Sequence, residues 1–303
     1  MPWFFGRRKR VATTPAESAP ATPGFVQAGG RSYMADSPYA LPKDIGETNR
    51  LNFQHFLLRQ LNQGNFRAPL RAPLDILDVG CGSGRWVLEM AAQFPESNVF
   101  GLDKVASDVG NLALGYGLNQ RPANAIFVAG DILQGNNFPD ASFDYVHMRL
   151  LYSAIPAVRW PFVINELVRM TRPGGWVELV EGGLPPAGGP AMNMLHNLTI
   201  EGGNKIGLDM TVGSRIGAYL QSAGLFNVQA EEMPVPLGAQ GGRIGRMMAL
   251  DLYEILKAGR GLSVARGTAT AEDYDRALQN WPQEVDARQS TFSFYRAIGQ
   301  KPS

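Results

Sequence analysis

The chain has 303 residues, 45% of them hydrophobic, and a formal net charge of +1, which suits one embellished domain or two and excludes a broad basic footprint for nucleic acid or an anionic membrane. No apolar run approaches the ~20 residues of a membrane span. A single cysteine, Cys81, excludes an internal disulfide, and three separated histidines give no zinc spacing, so no metal is expected and a cytoplasmic location is.

At the N-terminus Trp3-Phe4-Phe5 precedes Arg7-Arg8-Lys9-Arg10, but residues 11–30 are rich in Ala, Thr, Pro and Gly rather than apolar. Residues 1–30 are therefore expected to be a disordered tail, with ordered structure from about Tyr33. Residues 31–70 read as a helical cap: 44–61 has helical spacing, with Leu51, Leu58 and Leu61 on one face and His55 among them. Gly64, Asn65, Pro69 and Pro73 separate it from a main domain spanning 71–303.

That domain opens with an apolar strand running into Asp78-Val79-Gly80-Cys81-Gly82-Ser83-Gly84, with a helical pattern directly behind. Glycines reach positive φ without a Cβ penalty, and N–H groups at a helix start attract anions, so this loop is expected to hold a small anionic cofactor. The dinucleotide fingerprint G-x-G-x-x-G is not met, because Arg85 stands where its third glycine would be. A second strand, 98–103, ends in Asp103, placed to accept the hydrogens of ribose hydroxyls. A third, 125–129, runs into Gly130-Asp131-Ile132, an acceptor beside an apolar surface suited to adenine. A fourth, 143–148, and a fifth, 176–180, follow, with a helix over 157–171 between them. This alternation predicts an α/β fold with a parallel sheet and helices on both faces.

After Glu181 the alternation breaks into glycine- and proline-rich sequence, and 184–212 is expected to cover the site as a lid containing a helix at 191–200. A short helix over 213–223, a sixth strand over 226–230, a helical insertion near 239–289 and a closing strand over 291–299 complete the pattern.

These motifs are similar to those of the class I S-adenosylmethionine-dependent methyltransferases. The resemblance implies a Rossmann-like, seven-stranded, mostly parallel sheet with an N-terminal helical cap and helical insertions. It implies S-adenosyl-L-methionine as cofactor, with Gly80, Gly82 and Gly84 around the methionine part and Asp78 at its amino group. Asp103 would take the ribose hydroxyls and Asp131 the adenine amino group, with Cys81, Ile132 and Met148 also at the cofactor. Tyr39-Ala40-Leu41-Pro42-Lys43-Asp44, Arg50-Leu51-Asn52-Phe53-Gln54-His55 and Phe143-Asp144-Tyr145-Val146-His147-Met148-Arg149-Leu150 further resemble the LaeA-type methyltransferases of secondary metabolism.

Methyl transfer from a sulfonium needs a base only if the acceptor must lose a proton near the transition state. His147, at the end of the fourth strand, is the expected base, with Arg149 beside it, since Tyr145, His147 and Arg149 face one side by alternation. A bracing role for His147 and Arg149 is the alternative. The substrate pocket is expected to take in Tyr39, His55, Tyr152, Glu181 and His196, with Trp160 and Asn193 near it and Glu178 either orienting substrate or bracing. A small-molecule substrate is the expected partner; the acceptor atom and the oligomeric state, a homodimer included, stay open. The competing readings are an RNA or protein methyltransferase and a cofactor-binding regulator without transfer activity.

Overall fold

The computed structural model describes residues 25–28, 31–34, 45–104, 121–135 and 138–303. Strands β1 (Phe25–Ala28) and β2 (Arg31–Met34) form an antiparallel pair in which Val26 faces Tyr33. Strand backbone is thus described from Phe25, inside the 1–30 stretch expected to be disordered. The rest of that tail, Tyr39, and residues 105–120 after the second strand lie outside the described residues.

The main sheet has seven strands in the order β5-β4-β3-β6-β7-β9-β8. They are β3 (Asp75–Val79), β4 (Asn98–Asp103), β5 (Ala125–Ala129), β6 (Phe143–Arg149), β7 (Thr171–Gly182), β8 (Phe226–Pro236) and β9 (Thr291–Gln300). The first five are mutually parallel, and β9 joins antiparallel between β7 and β8. This is the expected Rossmann-like architecture. Chain order reverses between β3 and β6, so the loops leaving these strands diverge and open a crevice at their carboxyl ends.

Two differences from the sequence reading concern strand length. The Arg172-Pro173-Gly174-Gly175 segment, which precedes the fifth strand expected over 176–180, is a bulge inside β7: Phe143 pairs with Thr171 while Tyr145 pairs with Trp176. Gly174 sits at φ 77 there, a conformation only glycine adopts cheaply. β8 runs on to Pro236 because β9 offers it partners down to Thr291.

Parity along the strands assigns the two faces. Leu77, Val79, Phe100, Leu102, Val146 and Met148 pack against Trp160, Ile164 and Leu167 of α3 (Trp160–Met170). Ile76, Val99 and Tyr145 pack against Trp86, Leu88 and Met90 of α2 (Arg85–Gln93). Each such side chain contributes about 1.5–3 kcal/mol on burial. A separate apolar cluster joins α1 (Ile45–Leu61), α4 (Pro190–Lys205), α6 (Gly242–Ala265), α7 (Ala271–Ala287) and the aromatics Phe292 and Phe294; α5 (Ile216–Ser222) lies outside it, against β8 and β9. α1 is fastened to α6 by Asp251, which is 1% exposed and accepts from Arg50 Nη1 and Gln54 Nε2, both at 3.0 Å. This pins α1 over the carboxyl edge of the sheet. Among the described residues no helix is long and apolar enough to cross a membrane.

Candidate functional site

The loop after β3 is held to the end of β4 by its own backbone. Gly80 N and Cys81 N both donate to Leu102 O, at 2.7 and 3.0 Å, and Gly82 N donates to Asp103 Oδ2 at 2.9 Å. Gly80, Gly82 and Gly84 have φ of 70, 54 and 74°, which for a residue with a Cβ costs about 1–2 kcal/mol each. A Cβ at Gly80 would also come within 2.7 Å of the Leu151 δ-carbons. The dihedral is what requires glycine, since the Leu151 δ-carbons are the far end of a side chain that can shift.

This loop forms one wall of a cavity that is partly open to solvent. Asp103 and Lys104 at the end of β4 form the second wall, Gly130, Asp131 and Ile132 the third, and Arg149, Leu150 and Leu151 the fourth. α1 closes it with Leu51, Gln54, His55 and Leu58. Asp131 is braced on both oxygens, by Leu133 N at 2.9 Å and by Lys104 Nζ at 3.0 Å. The cavity suits an adenosyl amino acid: glycines permit close backbone approach, strand-end carboxylates meet hydroxyl and amino groups, and Ile132 offers an apolar face. Among the described residues no group of three or more His, Cys, Asp or Glu is placed to hold a metal.

Three of the residues expected at the cofactor or in catalysis belong elsewhere. Asp78 is 2% exposed and does not line the cavity; it accepts from His147 Nδ1 at 2.7 Å. His147 is itself 2% exposed and stacks on Trp86, with ring centroids 4.2 Å apart and planes 2° apart. The pair is sealed between the sheet and α2, where His147 cannot reach an acceptor as a base and Asp78 cannot meet the methionine amino group. Met148 points to the opposite face and packs in the core with Val146 and Leu179. Bracing is what these positions do.

Arg149, one step further along β6, does reach the cavity. Its Nη2 donates to His55 Nδ1 at 2.9 Å, and His55 Nε2 lies 3.1 Å from Glu89 Oε2. Burial lowers the Arg149 guanidinium from its ordinary value, with the charges of Asp78 and Glu89 opposing. His55, expected in the substrate pocket, lies at the cofactor cavity instead. Burial, with the nearby Arg149 charge, lowers it from 6.5 to about 4 against the opposing pull of Glu89. The ring is neutral at physiological pH, and its Nδ1 lone pair is taken by the Arg149 guanidinium, which leaves it no capacity as a base.

That shift has a stability consequence. Between pH 6.5 and about 4 the unfolded chain binds a proton at His55 that the folded chain refuses. Stability present above pH 6.5 is therefore lost as pH falls towards 4, by about 3 kcal/mol in full. In thermal melts His55→Gln is expected to flatten the decline over this window, and an unchanged slope would refute the neutral, buried imidazole.

Glu178 and Glu181 are both 0% exposed. Glu178 accepts from Arg67 N, Ala68 N and Tyr145 Oη, at 2.9, 3.1 and 3.0 Å, and is a brace. Glu181 lines neither the cofactor cavity nor the cavity beside Tyr152. It clamps Leu151 N and Tyr152 N, each at 3.1 Å, and burial raises its carboxyl to about 8 against these bonds. Tyr152, next to that clamp, lines a second cavity, partly open to solvent and walled by Leu198 of α4, Leu252 and Leu256 of α6, and Phe292. His196 does not line it; its Nδ1 donates to Pro185 O at 2.7 Å. Asn193 is exposed and accepts from Gly188 N, and Trp160 is fully buried in the core.

Sequence reasoning missed the second cavity and the roles of Gln54, Lys104 and Leu151. One signal was available: Asp251 stands among the apolar residues Met247–Tyr253 of α6, and a buried acid demands a partner on a neighbouring element. The second cavity had no local signal, since its walls are up to 140 residues apart, from Tyr152 to Phe292.

Residues 76–175 match the family model for a methyltransferase domain. The chain is 27% identical over 285 residues to the N-methyltransferase sirN of Leptosphaeria maculans, covering 89% of this chain and 97% of that one. It is 28% identical over 184 residues to the secondary metabolism regulator laeA of Aspergillus flavus, covering 59% of this chain but only 47% of the relative. Among solved structures, Haemonchus contortus phosphoethanolamine N-methyltransferase 2, in complex with phosphomonomethylethanolamine and S-adenosylhomocysteine, shares the fold with a TM-score of 0.52 at 16% identity, over 86% of this chain and 60% of that one. With the strand order, the glycine loop and the strand-end aspartates, these matches make the chain a member of the class I S-adenosylmethionine-dependent methyltransferases.

Proposed function

We propose that the protein moves a methyl group from S-adenosylmethionine to an oxygen, nitrogen or carbon atom of a small, partly apolar metabolite in secondary metabolism. The observation that carries this reading is the segment Leu150–Ile155, which has the cofactor cavity on one side and an apolar chamber on the other. Leu150, Leu151, Ala154 and Ile155 line the first, and Tyr152 and Ser153 the second. An N-methyltransferase and a secondary-metabolism regulator among the relatives support the setting.

In this reading Asp103 accepts from the ribose hydroxyls, Asp131 and Ile132 hold the adenine, and Gly80 and Gly82 let backbone lie against the methionine chain. Arg149, rather than acting in catalysis, binds the methionine carboxylate, with His55 and Glu89 fixing its orientation. Bound there, the cofactor supplies an electrophilic methyl group on a sulfonium, whose sulfur keeps the bonding pair and leaves as a neutral thioether. The protein then has to align the acceptor and exclude water. α1 provides the exclusion, and any acceptor proton passes to solvent.

Two experiments test this. Isotopically labelled cofactor incubated with protein and a metabolite extract is expected to label a low-mass, apolar product; label confined to RNA or protein would overturn the reading. Arg149→Gln is expected to weaken S-adenosylhomocysteine binding about 10-fold or more by calorimetry, the worth of a charge-assisted bond. Binding of methylthioadenosine, which lacks the amino-acid end, should not change. Equal losses for both ligands would remove the carboxylate assignment.

A further inference from the structure

We propose that Gln54 of α1 takes the methionine ammonium of the cofactor on its amide oxygen, and that Asp251 of α6 acts through Gln54 by fixing which end of the amide faces the cavity. This deepens the transferase reading above and rests on it. An ammonium carries three donors and no acceptor, and leaving it unpaired away from water costs more than leaving a neutral donor so. With Asp78 sealed behind His147, the site needs another acceptor for it.

The cavity offers few. Asp103 meets the ribose in this reading and Asp131 the adenine, while Ser83 Oγ is turned to Asn52 Oδ1 at 2.8 Å and His55 Nδ1 is taken by Arg149. Gln54 is different. It is 7% exposed and lines the cavity, and among the described residues its side chain makes a single hydrogen bond, from Nε2 to Asp251 Oδ2 at 3.0 Å.

That bond settles the orientation of the amide. An ionised carboxylate only accepts, so it draws the NH2 end of Gln54 and turns the carbonyl oxygen away from α6. Arg50 Nη1, at 3.0 Å from the other carboxylate oxygen, supports the charge of Asp251. Gln54 Oε1 accepts from no group among the described residues, yet it is not enclosed, in contrast to Asn52 Nδ2 on the same helix, which is buried without a partner. It borders the open cavity.

Position along α1 names the ligand group. Leu51, Gln54, His55 and Leu58 recur at the spacing of one helix face, and that face covers the cavity. Leu51 Cδ1 lies 3.5 Å from where a Cβ on Gly82 would stand, so α1 also touches the glycine loop. His55, next to Gln54, holds Arg149, which binds the carboxylate in this reading. The ammonium and the carboxylate of the methionine part share one carbon. An acceptor one residue from the carboxylate's anchor, on a helix that meets the glycine loop, is thus placed for the ammonium. Asp251 stands 197 residues from Gln54 in the chain, so a helix remote from the strand-end loops selects the atom that the cofactor meets.

The test is calorimetry on the full chain with two probes, S-adenosylhomocysteine and the same molecule with hydrogen in place of its α-amino group. The parent is expected to bind the deaminated probe about 10-fold more weakly, the worth of a hydrogen bond from a charged group. Gln54→Met keeps the length of the side chain and removes the acceptor; it should weaken S-adenosylhomocysteine about 10-fold and leave the deaminated probe within about 2-fold of the parent. Asp251→Asn lets the Gln54 amide reverse, and should weaken S-adenosylhomocysteine about 3-fold with the same indifference for the deaminated probe. It carries the comparison if Gln54→Met does not fold. Equal losses for both probes would make Gln54 and Asp251 mere fasteners of α1. Unchanged S-adenosylhomocysteine affinity in the variants, or equal affinity of the parent for both probes, would take the ammonium from Gln54. Each of these outcomes overturns the proposal and leaves the transferase reading standing, whereas a parent that binds neither probe removes the transferase reading itself.

Discussion

Asp103→Ala is expected to lower affinity for S-adenosylhomocysteine at least about 100-fold. Two ribose hydroxyls donating to a carboxylate are worth about 1.5 kcal/mol or more each, and 1.4 kcal/mol is a factor of ten. A second loss adds to the first. Asp103 Oδ2 also accepts from Gly82 N at 2.9 Å, so the substitution frees the glycine loop from the end of β4 and loosens the wall that meets the methionine chain. Asp103→Asn keeps one acceptor oxygen and should fall between parent and Ala. The carboxylate lies at the rim rather than in the core, so the melting temperature should move by little. Calorimetric affinity unchanged in Asp103→Ala would remove the ribose assignment and with it the orientation of the cofactor.

The parts of this molecule legible in its sequence are those governed by short-range periodicity. The glycine spacing, the strand-ending acids and the alternation of strand and helix each arise within about 20 residues, and they yield the sheet, the loop and the cofactor cavity. Parity along β6 was legible too: Tyr145, His147 and Arg149 do share a face. What parity alone could not supply was where that face leads. Tyr145 and His147 lie deep enough in the strand to meet Trp86 of α2, and only Arg149, the last residue of β6, emerges at the rim. Asp78 and Asp103 make the same point. Both close a strand as acids, yet Asp78 is followed by one more strand residue, Val79, and pairs laterally with His147, whereas Asp103 is the final residue of β4 and opens on the cavity. One residue of register separates a structural brace from a ligand contact.

The same lateral pairing yields the second large effect. His147→Ala is expected to destabilise the fold by about 3 kcal/mol or more, while the protein that remains folded binds cofactor and turns over at close to the parent rate. The substitution leaves the Asp78 carboxyl, 2% exposed, without the Nδ1 donor at 2.7 Å, and stranding one member of a buried pair typically costs about 3–5 kcal/mol. It also strips Trp86, 1% exposed, of the ring stacked on it, worth about 0.5–1.5 kcal/mol. His147→Asn retains a donor on a shorter arm and should recover part of the loss. Urea unfolding midpoints measured beside single-turnover rates separate the two roles, because a brace moves the first and a base moves the second. A His147→Ala protein as stable as the parent but about a hundred-fold slower would return this histidine to the chemistry.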